Sequence, residues 1–217
     1  MPDLWRIVAD LNRLCDGQVV FIGGVAVQAL TQKLGVAHGL PPEATHDVDM
    51  SITIAASGTL RDQKLLTPNK RLKKGQITVD GVEVDIYVEY QNDLRFDYTE
   101  LATYAELFSI GKAVDVKITS IGHLILLKLD ALKARASSAH GAKDRRDIAK
   151  LLVMGADRDE DVQIVIGAAT SADISAVQRV LKSTAFTEIT QGNAQAAAKL
   201  RIKAEKFIER VKKGRET

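Results

Sequence analysis

Leu4, Ile7, Val8, Leu11 and Leu14 recur at helical spacing, so the chain opens with an amphipathic helix that Gly17 ends. Val19-Val20-Phe21-Ile22 is a short, unbroken apolar run rich in β-branched residues, which predicts a buried strand. Gly23-Gly24 follows at once, and residues 25–34 read as a second helix. Two glycines and the Pro41-Pro42 pair mark residues 35–45 as a loop. Val48, Met50, Ile52 and Ile54 then alternate with Asp49, Ser51 and Thr53. That period of two predicts a strand with one apolar and one polar face. Residues 77–79 and 82–88 form two further strand patterns joined by Asp80-Gly81, a pair suited to a type I′ hairpin turn.

Beyond Tyr90 the pattern turns helical. Helices are expected over 99–107, 121–135, 144–154, 159–168, 175–181 and 194–211, with one more strand over 114–118. The expected architecture is α/β (α+β): a mixed β-sheet with flanking helices, followed by a C-terminal helical bundle. The expected domains are 1–112 and 113–217.

Composition narrows the class without naming it. The 217 residues are 46% hydrophobic and 27% charged, ordinary for a globular protein and unlike a disordered or fibrous one. A net charge of +2 does not by itself announce a nucleic-acid partner. The one cysteine, Cys15, suits a reducing compartment. The opening residues Met1-Pro2-Asp3-Leu4-Trp5-Arg6 lack the charged-then-apolar order of a leader, and the longest apolar stretch, 121–129, is interrupted by His123 and Lys128. A cytoplasmic protein with no membrane partner is therefore expected.

The chemistry concentrates in three places. Asp47 and Asp49 lie two apart on a predicted strand, so both point to one face with Cα atoms roughly 6.5 to 7 Å apart, while Val48 points to the core. Two carboxylates on one face repel unless a cation sits between them, and Mg²⁺ typically takes one or two carboxylates plus substrate phosphates. Asp85 lies on a later strand with the same alternation and would complete a three-carboxylate set able to hold two metal ions if the strands were neighbours. Gly23-Gly24, between a strand and a helix, lets backbone approach a phosphate closely where helix N–H groups favour an anion. Each feature alone has a bland reading: a turn, a solvated strand edge, a hydrogen-bonded structural Asp. Their order along the chain is what points to a site. A dinucleotide fingerprint and a Walker loop are both absent.

In this order, Ile22-Gly23-Gly24, Asp47-Val48-Asp49 and Asp85 resemble the nucleotidyltransferase superfamily related to polymerase beta, over residues 19–90. The resemblance implies a nucleotidyltransferase-type fold and transfer of an NMP from an NTP to a hydroxyl. It also implies metal binding by Asp47, Asp49 and Asp85, with Mg²⁺ (or Mn²⁺) as cofactor, and phosphate binding by Gly23 and Gly24. The 22 residues between Gly24 and Asp47 are longer than the family's usual spacing.

A second likeness joins it. Lys128 to Arg135, followed by Lys143-Asp144-Arg145-Arg146-Asp147-Ile148, is similar to the helical motif pair of AbiEii-type nucleotidyltransferase toxins. It implies that Lys128 contacts the nucleotide phosphates and that Asp144 (or Asp147) acts near the active site. Lys128 and Arg135 are seven apart and share a helix face, so both could meet a triphosphate. The acceptors implied are RNA or tRNA, or a protein, with an antitoxin as partner. An aminoglycoside- or lincosamide-like antibiotic acceptor and a non-catalytic nucleotide-binding module are the alternatives.

Weaker candidates remain. His46 adjoins Asp47, and Tyr87 and Tyr90 follow Asp85, where a tyrosine could stack on a base. The four histidines show no zinc spacing, and no Gly-x-Ser-x-Gly supports Ser-His-Asp hydrolysis. Residues 195–217 carry eight Lys/Arg against three Glu, a basic helix that could meet RNA phosphates but is more simply a solvated one.

Overall fold

The computed structural model describes residues 3–69, 74–111 and 114–216; the expected domain boundary at 112/113 lies outside them. The chain divides into two compact units, one of residues 1–29 and 43–120, the other of residues 30–42 and 121–217.

The first unit is built on a mixed sheet. Helix α1 (Leu4–Leu14) starts at Asp3, whose side chain accepts from the Trp5 and Arg6 amides, and leads to strand β1 (Val19–Ile22). Helix α2 (Gly23–Leu34) follows without a loop, its second half belonging to the other unit. Strand β2 (Asp47–Ile52) leads into helix α3 (Ile54–Asp62), then strands β3 (Thr67–Asn69), β4 (Lys74–Val79) and β5 (Val82–Val88). Helix α4 (Tyr98–Thr103) and strands β6 (Glu106–Ile110) and β7 (Val114–Ile118) complete it.

The strand order is β3-β4-β5-β2-β1-β7-β6. Strand β2 runs antiparallel to β1 and parallel to β5, and β1 runs parallel to β7. The β4–β5 hairpin closes through Asp80 and Gly81 with φ of +50° and +80°, as the type I′ reading of that pair requires. One sheet face carries Phe21 of β1, Val48, Met50 and Ile52 of β2, Val84 and Ile86 of β5, and Val116 and Ile118 of β7, every one fully buried. Phe108 is the cross-strand partner of Val116, and the Trp5 ring of α1 stacks on it at 4.9 Å, so α1 covers this apolar face.

The second unit holds a 3-10 turn (Gly35–His38) and helices α5 (Ile121–Arg135), α6 (Ala139–Gly155), α7 (Asp159–Ala168), α8 (Ser171–Leu181), α9 (Ala185–Ile189) and α10 (Ala194–Glu216). Phe186, Phe207, Leu151 and Leu152 are fully buried at its centre. Buried carboxylates tie the helices. Asp161 accepts the Gly122 amide at 2.8 Å, and Asp173 forms a capping box with Thr170 while pairing with Lys133 at 2.7 Å.

Among the expected elements whose bounds differ, three change the picture. The alternation that carried β2 on to Ile54 stops at Ile52, because the Thr53 side chain accepts the Ala56 amide and starts α3 there. The expected helix over 99–107 ends at Thr103, and residues 106–110 form β6 instead, paired with β7. The expected helix over 144–154 starts earlier, at Ala139, where Ser138 caps it.

Candidate active site

Burial fixes the register of the two strands that carry the carboxylates. On β2, Val48, Met50 and Ile52 are fully buried, and on β5, Val84 and Ile86 are. Slipping either strand by one residue would turn aspartates into the core, so the polar set is locked to the other face. Parallel pairing then sets Asp47 opposite Glu83 and Asp49 opposite Asp85. The sheet thus presents two successive rungs of paired carboxylates. Asp47 and Glu83 are exposed; Asp49 and Asp85 are half-buried.

Each is placed by specific neighbours. Thr45 donates its hydroxyl to Asp47 Oδ1 at 2.6 Å. Asp49 lies against the backbone of Gly23, which directly follows β1's last residue, Ile22, the cross-strand partner of Asp49. Gly23 enters α2 with φ of +64°, and a Cβ there would sit 2.0 Å from Asp49 Oδ2. Only glycine satisfies both the left-handed backbone and the missing volume. Gly24 follows in the first turn of α2, where helix amides lack intrahelical acceptors.

The structure adds residues that the sequence reading did not single out. Lys74 and Gln76 on β4 share the carboxylate face: Lys74 pairs with Asp85 Oδ2, and Gln76 Nε2 donates to Asp85 Oδ1 and Glu83 Oε1, both at 3.0 Å. The signal was present, since a two-residue turn at Asp80-Gly81 sets Gln76 opposite Asp85 by counting outward. A cavity of about 280 Å³ lined by Leu65, Gln76, Ile77, Thr78 and Glu83 adjoins this edge. Tyr87 shares the face on β5, Tyr90 beyond it is 75% exposed, and His46 is exposed.

As a donor set, Asp47 and Asp49 offer hard carboxylate oxygens on one face, which fits a divalent cation such as Mg²⁺. Among the described residues, no three His, Cys, Asp or Glu side chains are already gathered as a metal cage.

Lys128, Arg135, Asp144 and Asp147 form a cluster of their own within the helical unit. Lys128 Nζ lies 3.2 Å from Asp144 Oδ1 and 2.8 Å from Asp147 Oδ2, with its side chain 8% exposed. Arg135 grips Asp144 through Nε to Oδ2 at 2.8 Å and Nη2 to Oδ1 at 3.2 Å. Burial alone would push the Lys128 amine down, but Asp147 and Asp144 together outweigh it and hold its pKa above the usual lysine value. Lys143 is half-buried on α6.

No family model and no curated protein matches the sequence. Among solved structures, an antigenic nucleotidyltransferase-like protein from Paracoccidioides brasiliensis is similar at 16% identity and TM-score 0.45, over 83% of this chain and 92% of that one. The Megavirus polyadenylate synthase is similar at 13% identity and TM-score 0.47, over 80% of this chain and 38% of that one. Scores of that size decide neither family nor activity. The carboxylate face and Gly23 carry the functional reading. Among the described residues, no helix is long and apolar enough to cross a membrane.

Proposed function

We propose that the chain is a nucleotidyltransferase that moves an NMP from an NTP to an acceptor hydroxyl. One observation carries this: Asp49 sits against the bare backbone of Gly23, at the start of α2, and directly opposite Asp85. A phosphate-binding helix start and two ranks of carboxylates are thereby joined at one residue. Asp47 and Asp49 would hold Mg²⁺ (or Mn²⁺), which when bound neutralises the triphosphate charge. The Gly23 and Gly24 amides orient the phosphates. Asp85 faces the acceptor and takes the proton of its hydroxyl as the new O–Pα bond forms and the bond from Pα to pyrophosphate breaks. Positioning and charge neutralisation do most of the work in such a transfer.

The resemblance to AbiEii-type toxins favours an RNA, tRNA or protein acceptor and an antitoxin partner. An antibiotic acceptor would use the same chemistry. A non-catalytic nucleotide-binding module is the second reading, and the ion pair of Lys74 with Asp85 favours it, since it engages the carboxylate that would accept the proton.

The test is incubation with each α-³²P-labelled NTP, Mg²⁺, and bacterial RNA and protein, beside Asp49→Ala. Label on a discrete band, absent in the variant, is the expected result. NTP binding without transfer, and without need of a divalent ion, would favour the binding module and overturn the enzyme.

A further inference from the structure

Both oxygens of Asp85 have protein partners. Lys74 Nζ pairs with Oδ2, and Gln76 Nε2 donates to Oδ1 at 3.0 Å. The ion pair is largely withdrawn from water, with the Lys74 and Asp85 side chains 11% and 17% exposed. Asp49 stands directly opposite Asp85 on the parallel ladder, where neighbouring strands are about 5 Å apart. Two carboxylates that close repel strongly once water is partly excluded, so a positive charge must stand beside them. The fold supplies one. The Asp80-Gly81 turn sets Gln76 opposite Asp85, and Lys74, two residues earlier on β4, falls on the same face.

We propose that Lys74 takes the place of a second divalent cation. The face then binds a single ion through Asp47 and Asp49, and Asp85 is held by Lys74 rather than by metal. This rests on the nucleotidyltransferase reading of the same face. An ammonium delivers one positive charge through directed hydrogen bonds and brings no coordinated water. Lys74 is a positioning residue in this arrangement, acting through Asp85.

The experiment is a Mn²⁺ titration of the full chain followed by electron paramagnetic resonance, with thermal melting in parallel. Wild type is expected to bind one Mn²⁺ per chain. Asp49→Asn should weaken that binding about tenfold or more, and Asp85→Asn should leave it within about twofold. Lys74→Gln, which leaves Asp85 uncompensated, should melt lower without metal, bind a second Mn²⁺, and regain its melting temperature as Mn²⁺ is added. Two ions in wild type, or equal loss from Asp85→Asn and Asp49→Asn, would overturn the proposal. So would a folded Lys74→Gln that takes only one ion. Should Lys74→Gln fail to fold, the comparison of Asp49→Asn with Asp85→Asn decides alone. Binding that Asp49→Asn does not touch would instead overturn the parent reading, because Asp49 would then hold no metal.

Discussion

The carboxylate of Asp49 occupies the space that a side chain on residue 23 would need. A Cβ on Gly23 would lie 2.0 Å from Oδ2 and 2.7 Å from Cγ, and the backbone there has φ of +64°. Gly23→Ala therefore meets two penalties at once. The left-handed backbone costs about 1 to 2 kcal/mol for a residue with a Cβ, and the methyl must also push Asp49 off its position. Alanine should lower the melting temperature, weaken Mn²⁺ binding and abolish transfer, as calorimetry, metal titration and the labelling assay would read. A Gly23→Ala variant with unchanged metal binding would show that Asp49 does not depend on this approach.

Much of this site could be read from the chain alone, because it rests on local rules. Period two in residues 47–52 sets Asp47 and Asp49 on one face, and the Asp80-Gly81 turn fixes the β4–β5 register. What local pattern could not supply was the neighbour of β2. Pairing of β2 with β5 joins residues 36 apart in the chain and sets Asp49 opposite Asp85 rather than Glu83. Lys74 escaped notice for a related reason: its meaning depends on which carboxylate it meets, and a lone lysine at the start of a strand is ordinarily a solvated charge. Residues 106–110 misled because they follow a genuine helix, α4, and carry a half-buried pattern typical of an edge strand. Lys128 and Asp144 were singled out by resemblance, whereas their mutual ion pair follows from the packing of α5 on α6.

Arg135 and Lys128 both lean on Asp144, which is 1% exposed. Removing one member of a buried ion cluster leaves the others uncompensated, at a cost of about 3 to 5 kcal/mol. Asp144→Ala should lose stability on that order in chemical denaturation. Lys128→Met takes the cation from Asp147, leaves Asp144 to Arg135 alone, and should be destabilising too. The double variant Lys128→Met/Asp147→Leu removes a charge of each sign and should recover part of the loss. Additive losses in the double variant would show that Lys128 and Asp147 are not coupled.

At the start of α8, Thr170 accepts the Asp173 amide while Asp173 accepts back from the Thr170 amide at 2.8 Å. Asp173 is fully buried and also receives Lys133 at 2.7 Å. Thr170→Ala removes one arm of the capping box and should cost about 1 kcal/mol. Asp173→Ala removes the other arm and also the contact with Lys133, which keeps only Asp130, so it should cost more. Denaturation midpoints of the two variants measure this order; a larger loss for Thr170→Ala would contradict it.

Alkaline pH should destabilise the protein through groups whose surroundings keep them protonated. Burial pushes the Cys15 thiol from 9.0 up to about 11. Tyr98 is raised by burial first, then by Glu89 and Cys15, and Lys128 is raised by Asp147 and Asp144 against its own desolvation. In each case the folded state binds the proton more tightly than the unfolded chain. Stability contributed this way is fully present below the unfolded value and is lost as pH climbs towards the folded one. The window therefore opens near pH 9 with Cys15, and Tyr98 and Lys128 add to it above 10.0 and 10.5. For Cys15 alone the loss is up to about 3 kcal/mol, since the folded and unfolded values differ by about two pKa units at about 1.4 kcal/mol each. Urea denaturation at successive pH values should show stability level through neutrality and falling above pH 9. Cys15→Ala should be less stable at neutral pH, where a buried side chain is shortened, yet decline less steeply between pH 9 and 11. Parallel curves for wild type and Cys15→Ala would show that the thiol titrates alike in both states.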